Sequence, residues 1–248
     1  MNTLIDRFHS TAKACTTLAS ATQLSNRYRL LKWGGLFMAS LLTTSLYANE
    51  HAIESEKLAI DRQGIKVWTY KMADNPVFNY RATTTLKSSV SIVTALIINP
   101  ETATKWAPYV RQIDVISPQD STGMTVFRME LDMPFPLQDR DAVIRAQLHQ
   151  VEDGSVTITS EVVKDARVPE RSGVVRVTHY QGSWNIRALG RGQVKVTTSG
   201  YADLGGYVPL SFANMFVQQQ PYQMLRNMRS YIQQSVSQHM ALANIQEP

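Results

Sequence analysis

The chain changes its hydrophobic period once along its length. From about residue 65 to residue 202 apolar and polar side chains alternate in short runs, the period of strands; from Val208 onward apolar residues recur at helical spacing. Thr125, Phe127, Met129, Leu131 and Met133 share one face of a predicted strand, and Arg128, Glu130 and Asp132 share the other. In the strand that follows, Ala142, Ile144, Ala146 and Leu148 oppose Asp141, Arg145, Gln147 and His149. The pattern predicts a sheet with one oily and one wet face. Near the C-terminus Leu210, Ala213, Val217, Pro221, Met224, Leu225, Met228, Ile232 and Val236 form an apolar stripe, with Gln218, Gln219, Arg226, Asn227, Arg229, Gln233 and Gln234 around it. Pro209 suits a first helical turn. Pro221 removes a donor and crowds the carbonyl four residues back, which predicts two helical segments meeting near Gln220.

Taken in order, residues 50–61 read as a short charged helix stopped by Gln63 and Gly64. Residues 65–70 and 78–86 read as a hairpin around Asp74-Asn75-Pro76, with Tyr80, Ala82, Thr84 and Leu86 on one face. Ser88 or Ser89 caps a helix that ends before Pro100, and Asn99-Pro100 opens a second one reaching Trp106. Strands are expected near 110–116, 122–133, 142–150, 156–163, 174–186 and 192–202, eight or nine in all and mostly antiparallel. A sheet with a single apolar face must cover it, and the only long apolar helix is the C-terminal one. The fold class is therefore α+β: a curved antiparallel sheet wrapped about that helix, with an interior either filled or hollow.

Composition changes this picture mainly at the N-terminus. The 248 residues are 44% hydrophobic, with a formal net charge of +5. Residues 1–48 hold five of the 25 basic residues and one of the 20 acidic ones, so the body is close to neutral and a nucleic-acid partner loses its support. Arg27, Arg29 and Lys32 precede an apolar run from Trp33 to Tyr47, then Ala48 and Asn49. This reads as a secretory signal cleaved after Ala48, with residues 49–248 as the mature domain in the periplasm or an equivalent space. The apolar run is shorter than the roughly 20 residues a spanning helix needs. Cys15, the single cysteine, falls in the leader, which leaves the mature chain without a disulfide.

Catalytic signatures are missing. The chain has no Gly-x-Ser-x-Gly, no phosphate loop, no Gly-x-Gly-x-x-Gly after a strand and no paired metal-binding spacing among His51, His149, His179 and His239. No catalytic residue, metal or cofactor is expected. His179 is the one histidine with a strand position that suits the interior, and a satisfied strand histidine fits it as well. Asp139, Arg140 and Asp141 read as ion pairs in a turn and across strands rather than an acid–base cluster. The methionines suit either a pocket for varied hydrophobic ligands or a filled core.

Three segments carry a resemblance: Trp106-Ala-Pro-Tyr-Val, Met133-Pro-Phe-Pro-Leu-Gln-Asp-Arg-Asp141, and Gly205-Gly-Tyr-Val-Pro209 running on through Asn214 to Pro221-Tyr-Gln-Met-Leu-Arg226. In order and spacing they resemble the START (steroidogenic acute regulatory protein-related lipid transfer) domain, over about residues 50–234, here in exported form. The resemblance implies a helix-grip fold and one hydrophobic ligand in a tunnel lidded by the C-terminal helix. Sterol-binding members carry a cavity arginine five residues after the aspartate of the Arg-Asp pair; Ala146 stands there in this chain, with Arg145 on the other face. Expected cavity and lid residues are Phe127, Met129, Leu131, Ala142, Ile144, Ala146, Tyr207, Phe212, Phe216, Met224 and Met228, with Gly205, Gly206 and Pro221 as hinges. A lipid ligand, transient membrane contact and a monomeric, non-enzymatic protein complete the expectation. The alternative is a cyclase or aromatase of the polyketide type, using the same cavity.

Overall fold

The computed structural model describes residues 53–72, 75–234, 245 and 247. The expected signal and its cleavage after Ala48, Val236 of the apolar stripe and Asp74 of the hairpin turn lie outside the described residues. Within them the chain order is β1 (Ile53–Arg62), β2 (Ile65–Met72), β3 (Asn75–Lys87), α1 (Val90–Ile98), α2 (Pro100–Trp106), β4 (Val110–Ser117), β5 (Met124–Leu131), β6 (Asp139–Gln150), β7 (Val156–Val162), β8 (Val174–Arg176), β9 (His179–Gly190), β10 (Gln193–Asp203) and α3 (Leu210–Gln233). One curved sheet runs β1-β2-β3-β10-β9-β7-β6-β5-β4 with antiparallel neighbours, and β8 adds a short parallel pairing to β6.

Two strand assignments differ from the pattern. Where the structure describes it, from Ile53 on, the helix expected over residues 50–61 is the edge strand β1, paired with β2 from Ile53 opposite Met72 to Arg62 opposite Ile65. Its Ser55, Glu56, Lys57 and Leu58 are exposed and, among its described side chains, only Ile60 packs on the core, so over most of its length it lacks the buried face that produces a period of two. The single strand expected over 174–186 is two. The chain leaves β6 after Val177, whose N–H still reaches the Asp141 carbonyl, and resumes as β9 between β7 and β10. A change of partner leaves no mark on a run of apolar residues.

Capping sets the two short helices as expected. The Ser89 hydroxyl accepts from the Ile92 N–H, and the Asn99 side chain accepts from the Glu101 N–H just past Pro100. A further cap comes from far along the chain: the Glu247 carboxylate accepts from the N–H groups of Val90 (3.1 Å) and Ser91 (2.8 Å) at the start of α1. Together α1 and α2 carry the chain from β3, in the body of the sheet, to β4 at its far edge.

The last helix is one continuous element of 24 residues with Pro221 inside it, where the proline predicted two segments. Burial outweighs the lost bond. Tyr222, Met224, Leu225 and Met228 are all at most 5% exposed; burying each contributes about 1.5–3 kcal/mol, against about 3 kcal/mol for a proline in a helix interior. Pro221 does mark a change of environment. The residues after it sit in the main core with Ile65, Val67 and Leu86, whereas Phe212 and Phe216 before it are half-buried and Met215 is exposed. The buried half is also tied to the β1–β2 turn: the Tyr222 hydroxyl donates to the Gln63 side chain (2.8 Å), and Arg229 donates to the Gln63 carbonyl (2.7 Å).

Candidate functional site

The concave side of the sheet is not filled. Between it, the α1–α2 connection and the first half of α3 lies a cavity of about 240 Å³. The alternation of β5 and β6 builds one wall: Phe127, Met129 and Leu131 from β5, and Ala142, Ile144 and Ala146 from β6, all point inward. Phe216 and Met224 close it from α3, and the Trp106 ring meets Trp184 of β9 edge to face at 6.0 Å on the opposite side.

Three of the expected cavity and lid residues do not line the cavity. Gly205 (φ +66°) and Gly206 (φ +61°) turn the chain between β10 and α3 through the left-handed region, and Tyr207 emerges from that turn 85% exposed. Phe212, one turn before Phe216, stacks on its outer side at 6.0 Å in a small cluster with Leu131, Met133 and Leu204. Met228, one turn past Met224, is fully buried in the main core.

Polar side chains meet the cavity mainly in one patch, built by β3, β10, β9 and β7. The Tyr180 hydroxyl lies 3.0 Å from the Ser160 Oγ, and that Oγ lies 3.2 Å from the Gly182 carbonyl. Tyr80 stands across from them with its hydroxyl bonded to Thr198. Burial pushes both phenols up, Tyr80 further with Tyr180 beside it, so both stay protonated at neutral pH. Of the described residues that line the cavity, none is Asp, Glu, Lys, Arg, His or Cys. Alternation along β9 explains why His179 is exposed while its neighbour Tyr180 faces in. The residue type drew attention one position away from the group that matters. Tyr80 and Ser160 carry no sequence signal beyond their place on an inward face.

The opposite face of β5 and β6 is not simply wet. Glu130 and Asp141 are 5% and 1% exposed, covered by arginines from β4, β5, β8 and the loop that leads into β8. Glu130 pairs with Arg128 (2.7 Å), Arg171 (2.7 Å) and Arg111 (2.9 Å), and Asp141 with Arg176 (2.7 Å) and Arg128 (2.9 Å). Burial alone would raise both carboxyls. The guanidinium groups outweigh it and hold both below the ordinary carboxylate range. Asp139 pairs with Arg111 at 2.7 Å. Arg140, 2% exposed, aims at the helix approach instead, donating to the carbonyls of Leu204 and Gly205 at 3.4 Å each.

The sequence model of the START domain matches residues 57–238. An uncharacterized protein of Pseudomonas aeruginosa is 28% identical over 198 residues, covering 79% of this chain and 96% of that one. Human phosphatidylcholine transfer protein is 25% identical over 157 residues, covering 62% of this chain and 72% of its own. Among solved structures, a STAR-related lipid transfer protein from Xanthomonas axonopodis superposes with a TM-score of 0.65 at 27% identity, over 72% of this chain and 99% of that one.

Proposed function

The chain belongs to the START domain family, and we propose that it binds one lipid or other hydrophobic molecule in the cavity and exchanges it with a membrane. The cavity carries this reading. It is a hollow where a core would otherwise be, walled by aliphatic and aromatic side chains, and each ligand methylene it removes from water contributes about 0.8 kcal/mol. The name of its human relative, phosphatidylcholine transfer protein, points the same way.

Exchange needs an opening, and the first half of α3 is the candidate lid because it is less buried than the second and follows the Gly205-Gly206 turn. Membrane contact is supported by two aromatic residues on adjoining loops. Phe135 (98% exposed) stands between β5 and β6, and Tyr207 stands between β10 and α3, the two loops being joined through the Arg140 guanidinium. The basic and apolar leader before Ala48 supports export, which N-terminal sequencing of the secreted chain tests. A cyclase-like reaction would need groups that bind or transfer protons at the ligand; among the described residues the lining offers neutral phenols and hydroxyls, the Gln220 amide and the Trp106 indole.

The reading is tested by filling the cavity. Ala146→Phe projects a ring into it from β6; the variant is expected to fold and to lose most of its uptake of lipid from vesicles. Unchanged uptake by a folded Ala146→Phe protein overturns the cavity as the binding site.

A further inference from the structure

We infer that the ligand is an uncharged amphiphile whose polar head is a free hydroxyl, and that the Tyr180 oxygen accepts that hydroxyl's hydrogen. The inference rests on the binding reading above and narrows it to a ligand class. Its first ground is the absence, among the described residues, of any ionisable side chain other than tyrosine from the cavity wall. A carboxylate or phosphate brought inside would find no cation, and a choline no carboxylate, so charged heads are disfavoured by their desolvation.

The second ground is a count of hydrogens. Ser160 has one, and the Gly182 carbonyl, which only accepts, lies 3.2 Å from its Oγ. The Ser160 hydrogen is therefore spent there, and the contact between Tyr180 and Ser160 must use the tyrosine's own hydrogen. What Tyr180 still offers the cavity is lone pairs. A ligand alcohol satisfies them; an ether, an ester carbonyl or a carboxylate can accept from the Trp106 Nε1–H or the Gln220 amide on the cavity wall but leaves the Tyr180 lone pairs unmet. Gly182 makes the arrangement possible, because a methyl group at that position would collide with both the Tyr180 and the Ser160 oxygens.

Four probes of equal chain length test this on the full chain, below their micellar concentrations: dodecanol, its methyl ether, dodecanoate and dodecylphosphocholine. Dodecanoate and dodecylphosphocholine are expected to bind at least about tenfold more weakly than dodecanol. Tyr180→Phe is expected to weaken dodecanol about fivefold and the methyl ether less than about twofold, a contrast that a general loosening of the cavity does not produce. Ser160→Ala, which frees the Tyr180 hydrogen, is expected to tighten the ether several-fold. Dodecanoate or dodecylphosphocholine binding as tightly as dodecanol overturns the inference, as does an equal effect of Tyr180→Phe on alcohol and ether. If all four bind alike, the cavity still holds lipids and only the ligand class falls; if none binds, the binding reading falls with it.

Discussion

The hydroxyl of Tyr180 meets the hydroxyl of Ser160 at 3.0 Å across the space that Gly182 leaves open. That pairing fixes which way the polar patch faces and depends on a residue with no side chain. Gly182→Ala is expected to push the two oxygens apart and to cost about 1–3 kcal/mol, as overpacking does. Urea unfolding checks the stability. A variant as stable as the parent would mean that the Tyr180 ring has room to move aside.

The Asp141 carboxylate, fully enclosed and held by Arg128 and Arg176, makes a second prediction. Its folded pKa lies below the ordinary value of about 3.9, so the stability it contributes is present above about pH 4 and is lost as pH falls through the lower folded value. Asp141→Asn leaves buried guanidinium groups short of a partner. It is expected to cost about 3 kcal/mol at pH 7 and to flatten the acid limb of the stability curve. Denaturation midpoints from about pH 2 to about pH 7, which span the ordinary carboxylate pKa, measure both effects.

Replacing Gly205 and Gly206 together by Ala addresses the lid. Both occupy the left-handed region, and a Cβ at Gly205 would sit 3.2 Å from Val175 Cγ1. The double variant is expected to lose about 1 kcal/mol per site and to exchange lipid between vesicles several-fold more slowly. Unchanged exchange in a folded variant removes the turn from the mechanism.

Much of this site was legible in advance, for reasons that particular residues show. The strand pair carrying Phe127 and Ile144 alternates clearly because one of its faces lines an apolar space. The caps at Ser89 and Asn99 announce the two short helices by residue type alone. The edge strand β1 was hidden because Ser55 to Leu58, on both of its sides, face water, and among its described side chains only Ile60 reaches the core. The strand–strand transfer near Val177 was hidden because pairing partners are a tertiary choice. Pro221 misled because local propensity was outweighed by the burial of Leu225 and Met228. Glu130 and Asp141 looked solvated because two of the arginines that enclose them, Arg171 and Arg176, come from a segment distant in the chain.

Phe135 and Tyr207 are too exposed to serve the core and are expected to serve a membrane surface. Replacing both by Ser should leave the unfolding midpoint unchanged and weaken vesicle binding by roughly tenfold, the effect of withdrawing part of two aromatic rings from the bilayer interface. Sedimentation with vesicles reads this out, and equal binding by the variant would assign membrane contact to another surface.

The central claim is that the hollow beneath α3 holds a hydrophobic molecule, and native mass spectrometry of the purified full chain tests it most directly. The account predicts a mass increment of one ligand per chain, lost on denaturation, extractable into organic solvent and absent from Ala146→Phe. A chain that carries nothing, and that takes up nothing from lipid vesicles, would contradict it.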